Sequence, residues 1–255
     1  MRNFFYLFFA LLCFTSCGNG KDEQHSKTIA AHHDSLENKH NPEKSLQHVQ
    51  YNCPVDSKQT PYHGTLKTAV SWEDKKGKNI LIIAERPQYF WKDENKSIGK
   101  YCDDPDDNTE VTELFAWQYV FDAQENKWKS LWTLNDFEFG CCDVEMEYVP
   151  YTLRISDLDS NGIAESIFTY ASSAGDGPID DFWQGKLILH SDTLKYSIKG
   201  NLGNKQTDTN NELIYSKNFD QLSPRFKNYG KQMWKYSDSI QISSYKAKFN
   251  SRLTM

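Results

Sequence analysis

Between Glu113 and Phe121, the aromatic residues Phe115, Trp117, Tyr119 and Phe121 fall on every second position. Successive side chains of an extended chain point to opposite faces, so this spacing lines one side of a strand with rings and suits no helix. Beyond the turn Ala123-Gln124-Glu125-Asn126-Lys127, Trp128–Asn135 is again strand-like, and the two runs predict a hairpin. Three further pairs follow the same logic. Thr65–Ser71 and Asn79–Glu85 flank Asp74-Lys75-Lys76-Gly77, Tyr151–Ser156 and Glu165–Tyr170 flank an acidic loop, and Lys186–His190 and Thr193–Lys199 flank Ser191-Asp192. Four hairpins are too few for a propeller and too unevenly spaced for a repeat array. Near the end, Ser223-Pro224 supplies a cap and a first helical position, and Phe226, Tyr229, Met233 and Trp234 recur at helical spacing with Gly230 among them. The expected fold is therefore mainly β, an antiparallel meander or sandwich of about eight strands with a C-terminal helix over Pro224–Tyr236. The aromatic stripe of that helix packs on the sheet or binds a partner. A hydrophobic fraction of 38% with an aromatic fraction of 14% points to a core built from rings.

The chain opens with Met1-Arg2-Asn3 and an apolar run, Phe4 to Phe14, of about 11 residues, the length of a signal-peptide core and short of the roughly 20 needed to span a bilayer. Thr15-Ser16-Cys17 follows, and with Phe14 in place of the usual Leu or Val the segment resembles the lipobox of bacterial lipoproteins. The resemblance implies a signal peptide over 1–16 and lipidation of Cys17. Gly18-Asn19-Gly20-Lys21-Asp22-Glu23 looks like the acidic export signal of Bacteroidota lipoproteins. It implies a lipid-anchored place on the outer membrane, at the cell surface, with the membrane as partner through the anchor alone. Residues 17–60 then read as the lipidated cysteine and a flexible tether, 61–237 as the β-rich domain, and 238–255 as a tail. Five of the seven histidines (His25, His32, His33, His40 and His48) fall in the tether, which is a solvated spacer or a metal-scavenging tail. The formal net charge of −6 argues against nucleic acid as a partner, because phosphate-backbone binding needs clustered Lys and Arg.

The sharpest motif is Asp157-Leu158-Asp159-Ser160-Asn161-Gly162-Ile163-Ala164-Glu165. Oxygen side chains at alternate positions, with Gly162 at the bend, can fold inward around one hard cation. The expected calcium ligands are Asp157, Asp159, Asn161, the Ile163 carbonyl and Glu165. Phe168 stands where an EF-hand carries its bidentate Glu, and the flanks are strands. The loop is similar instead to the calcium-binding hairpin loops of integrin-type and FG-GAP repeats. Without metal, the same residues would simply cap backbone N–H groups.

Other carboxylates are less ordered. Asp103-Asp104-Pro105-Asp106-Asp107 with Glu110 reads as an exposed loop. Asp143, Glu145 and Glu147 alternate along one strand face about 7 Å apart, and Asp176, Asp180 and Asp181 surround a glycine-containing loop. Either set could hold the paired carboxylates of a sugar-cleaving enzyme. No nucleophile elbow, phosphate-cradling loop, zinc-protease helix or dinucleotide fingerprint is present. No catalytic residue is assigned. Trp72, Trp91, Trp117, Trp128, Trp132 and Trp183 are candidates for stacking on sugar rings, with Trp91 and Trp183 in loop-like contexts.

Ser71-Trp72 with the Ile80–Ile83 run, Glu113-Leu114-Phe115-Ala116-Trp117, Asp136-Phe137-Glu138, Ile155 to Glu165, and Lys195 to Gly200 together resemble a group of poorly characterised Bacteroidota proteins labelled surface polysaccharide biosynthesis proteins. The resemblance spans about residues 67–235. It implies a role in making or displaying surface glycan, with surface glycan or envelope proteins as partners and no glycosyl-transfer residues. Of the cysteines after Cys17, namely Cys53, Cys102, Cys141 and Cys142, three pairings are open by spacing. Members of the group often carry a further cysteine near Ser173–Asp176, absent here, which favours Cys102 bonded to Cys141 or Cys142. The leading expectation is a calcium-stabilised, non-enzymatic surface domain. A carbohydrate-active hydrolase and a structural or host-interaction lipoprotein are the alternatives.

Overall fold

A computed structural model describes residues 46, 48–91, 109–140, 144–173, 183–203 and 212–252, with backbone alone at 88, 90, 91, 109 and 242–252. The signal segment, Cys17, Cys102, Cys141, Cys142, Asp143, Asp176, Asp180, Asp181, the 103–107 run and most of the tether lie outside these residues.

Two antiparallel sheets form the body. The first contains β1 (Gln50–Tyr51), β2 (Thr65–Asp74), β3 (Gly77–Trp91), β4 (Thr109–Asp122) and β5 (Lys127–Gly140) in chain order. The second contains β6 (Glu145–Tyr148), β7 (Arg154–Ser156), β8 (Glu165–Ser173), β9 (Trp183–Ser191), β10 (Leu194–Leu202) and β11 (Ile214–Tyr215). Its order is β11-β10-β9-β8-β6, with β7 also paired to β8. Helix α1 runs from Pro224 to Arg252. All four expected hairpins are present, as β2–β3, β4–β5, β7–β8 and β9–β10. No helix among the described residues is long and apolar enough to cross a membrane.

Apolar side chains fill three layers. Between the sheets, Val70, Leu81, Ile83, Leu114 and Leu134 meet Met146, Tyr148, Phe168, Tyr170 and Ile188. Alternation carries Phe115, Trp117 and Tyr119 to the opposite side of the first sheet, where Cys53, Val55 and Tyr62 cover them. His63 wedges edge-on against Phe115 and Trp117, at ring separations of 4.1 and 4.9 Å, and the Tyr119 hydroxyl donates to the Pro61 carbonyl. The domain thus begins before residue 61. Gln50 and Tyr51 pair with β2, and Cys53 and Thr60 are buried, so the tether expectation fails for this stretch because the exposed aromatic face needs a cover.

The third layer lies between the second sheet and α1, where Ile167, Leu187, Leu189 and Ile198 meet Phe226, Met233, Trp234 and Ile240. The aromatic stripe therefore packs on the sheet. Gly185 and Gly200 oppose one another across β9–β10 and leave a notch for the Trp234 indole; a Cβ at either would lie 3.0 Å from it. The helix does not stop at Tyr236, and the expected tail from Asp238 continues helical to Arg252. Ser237, Asp238 and Ser239 are weak helix formers, but tertiary contacts overrule them. The Ser237 hydroxyl donates to the Met233 carbonyl and lies 2.7 Å from Thr169 Oγ1, and Asp238 accepts from the Gly203 amide at 2.7 Å.

One polar thread crosses the inter-sheet layer. The Trp132 indole donates to Gln118 at 2.7 Å, and Gln118 donates to Asn79 at 3.2 Å. Trp132 also stacks flat on His190, at 3.7 Å and 5° between planes. Both His190 ring nitrogens are buried without a partner, and burial, with Lys195 adding to it, pushes the imidazole pKa down to about 3.

Replacing Trp234 by Ala should cost about 3–5 kcal/mol in urea denaturation. Gly185→Ala should cost roughly 1–3 kcal/mol, because the added Cβ would lie 2.3 Å from the Leu202 side chain and 3.0 Å from the same indole. A null effect of both would contradict the packing of α1 on this notch.

Candidate metal centre

The expected cation loop joins β7 to β8, and Ser156 opposite Glu165 closes the hairpin at its base. Its polar side chains curl the backbone. Asp159 accepts from the Asn161 amide at 3.1 Å, Asn161 Oδ1 accepts from the Ile163 amide at 2.6 Å, and Asp157 Oδ2 accepts from the Gly162 amide at 3.0 Å. Gly162 sits at φ +84, in the left-handed region that glycine adopts without strain.

This curl brings three carboxylates together. Asp157, Asp159 and Glu165 each place an oxygen within 4.8 Å of the others. Asp157 is 6% exposed and Glu165 2%, whereas Asp159 is open to solvent. Glu165 Oε2 accepts from the Leu158 amide at 2.6 Å. Asp157 Oδ1 is buried and has no hydrogen-bond partner. Burial first, then the Asp159 and Asp157 charges, raise the Glu165 pKa to about 8. An acceptor-only oxygen deprived of both water and donor, facing two further carboxylates, is a donor set that suits a hard cation. Asn161 is engaged within the loop, donating its side-chain amide to Asp159 at 2.9 Å, and Ile163 is held by its own amide.

A second element, not singled out in the sequence, holds the loop from the other sheet. The Lys75 amide donates to the Gly162 carbonyl at 2.8 Å, and its ammonium to the Asn161 carbonyl. Asp74 Oδ2 accepts from both the Ala164 amide at 3.1 Å and the Trp72 indole at 3.0 Å. Its Oδ1 accepts from the Lys76 amide at 2.8 Å. The sequence marks Asp74–Gly77 only as a turn, because a contact between residues 86 positions apart leaves no local pattern.

The remaining candidates separate. Glu145 is exposed and Glu147 half-buried on β6, opposite in face to the buried Met146 and Tyr148. Trp72, Trp117 and Trp132 are core residues, and Trp128 and Trp183 are half-buried. Trp91 and Trp183 do not lie in loops but end β3 and begin β9. Cys53 is a buried free thiol whose pKa burial pushes up.

Among the described residues, Glu165 and His190 carry the large shifts that act between pH 4 and 8 in the metal-free protein. Glu165, raised from 4.5 to about 8, contributes stability that is complete below pH 4.5 and lost as pH climbs to 8. His190, lowered from 6.5 to about 3, contributes stability that is complete above pH 6.5 and lost as pH falls to 3. Between pH 4.5 and 6.5 the slopes oppose, so thermal stability of the chelated protein should peak there. Glu165→Gln should remove the alkaline decline alone, and a decline unaffected by that change would refute the assignment.

No known family model matches this chain, and no curated protein or solved structure matches it.

Proposed function

We propose that this chain is a non-enzymatic, exported β-domain, carried on the outer membrane by an acylated Cys17, in which calcium bound by Asp157, Asp159 and Glu165 locks the two sheets together. In this reading the domain associates with surface polysaccharide in its making or display, the role that the resemblance implies.

The observation that carries the metal part is the partnerless, buried Asp157 Oδ1 beside the Glu165 and Asp159 carboxylates. Burial and the neighbouring Asp157 and Asp159 charges favour a proton on Glu165, and a divalent ion would displace that proton and turn the repulsion among three carboxylates into attraction. Because Lys75 and Asp74 tie the loop to the first sheet, order gained at the loop is transmitted to the sandwich. The ion's task is to stiffen. The addressing part rests on the Arg2–Phe14 run ending in Thr15-Ser16-Cys17.

Calcium at a hundredfold excess over its Kd would add about 2.7 kcal/mol. For a domain of this size that raises Tm by roughly 5–10 °C over the chelated protein. Asp157→Asn should abolish most of the rise, and a Tm indifferent to millimolar calcium would end the metal reading. Mass spectrometry of protein isolated from the envelope should find a diacylglyceryl cysteine as the first residue, and Cys17→Ser should release the protein from the membrane fraction. An unmodified thiol there would defeat the anchoring claim.

A further inference from the structure

The outer face of the first sheet carries a groove that the metal reading does not use. Its volume is about 330 Å³, near the lower end of the roughly 300–1,000 Å³ of small-molecule sites. Four stretches distant in sequence converge on it: the segment from His48 to Pro54, β2, β3 and the start of β5. Trp128 forms one wall, half-buried and edge-on to Phe121 at 5.5 Å, which fixes the indole.

The polar members are arranged by strand register. Gln50 lies opposite Ser71 on the β1–β2 ladder, and Glu73 opposite Lys78 on β2–β3. Gln50, Glu73 and Lys78 are exposed, and none has a side-chain hydrogen bond or ion pair with another described residue. The segment beside β2 turns sharply at two points. His48 and Asn52 stand at φ 70 and 53, in the left-handed region that Asn and His enter more readily than other residues with a side chain.

We infer that this groove binds a neutral saccharide, with the Trp128 indole against a sugar ring and Gln50, Glu73 and Lys78 on its hydroxyls. A pyranose presents a flat C–H face that an indole can cover, and hydroxyls that both donate and accept. Glu73 only accepts, Lys78 only donates and Gln50 does both, so the set matches hydroxyl groups on each count. The two opposite charges are cross-strand neighbours and leave little net field. An anionic ligand would meet Glu73 and a cationic one Lys78. The inference gives the glycan part of the proposed function a place on the molecule and rests on that part alone, since the metal loop contributes no lining residue.

The test uses the full-length protein on an array of neutral oligosaccharides of glucose, galactose, mannose, fucose and N-acetylglucosamine, with uronic-acid-containing and sulfated oligosaccharides alongside. The strongest binder is then titrated by tryptophan fluorescence and calorimetry. Trp128→Ala should weaken binding about tenfold or more, with Trp128→Phe in between. Glu73→Gln, an exposed change with an unaltered Tm, should weaken it about threefold or more. Affinity unchanged in both Trp128→Ala and Glu73→Gln would overturn the groove and leave glycan binding elsewhere intact. Binding of acidic glycans only, lost in Lys78→Met, would overturn the neutral class. An array with no binder at all would remove both the groove and the glycan reading.

Discussion

Two-sided burial governs this molecule. Each sheet carries apolar side chains on both faces, as Leu81 and Ile83 against Ile80 and Ile82 show within one strand. A sheet so composed cannot leave either face in water, so packing the two together satisfies only half of the requirement. The irregular segment around Cys53–His63 answers the remainder for the first sheet, and α1 answers it for the second. The outer covers are as necessary to the fold as the sandwich interior.

The loop between β7 and β8 has a different dependence. Its carboxylates are gathered by bonds within nine residues, but its position is fixed from the opposite sheet by the Asp74–Lys75 turn. Asp74 joins three things with one side chain: its own turn, the Trp72 indole and the loop backbone. The neighbouring Lys76–Asp192 pair is exposed and adds little. Charge concentration at the loop and tight anchoring at the turn are complementary, because the anchor holds in place a cluster that would otherwise spread to relieve its repulsion.

Much of the architecture was legible because period-two patterning and turn residues are local signals. All four hairpins, the shared face of Phe115, Trp117 and Tyr119, and the helix start at Pro224 came from them. Two of the errors share one cause. The cover over 53–63 and the helical continuation past Tyr236 are both dictated by partners remote in sequence, such as Tyr119 for Pro61 and Thr169 for Ser237. At the candidate site the carboxylates were legible from spacing, whereas the clamp by Asp74 and Lys75 and the bare imidazole of His190 were not. Nothing near those residues in the chain distinguishes them from an ordinary turn and an ordinary strand position.

Strand order has one more implication. Among the described residues, every strand up to Gly140 belongs to the first sheet and every strand from Glu145 to the second, with no exchange between them. Each cover also comes from the same stretch of chain as the sheet it covers. The polypeptide is therefore bipartite, crossing once between two self-contained halves, and the layer they share amounts to an interface between two subunits that happen to be covalently joined. Low sequence separation within each half favours their rapid, independent formation, leaving docking of the halves as the event that commits the molecule.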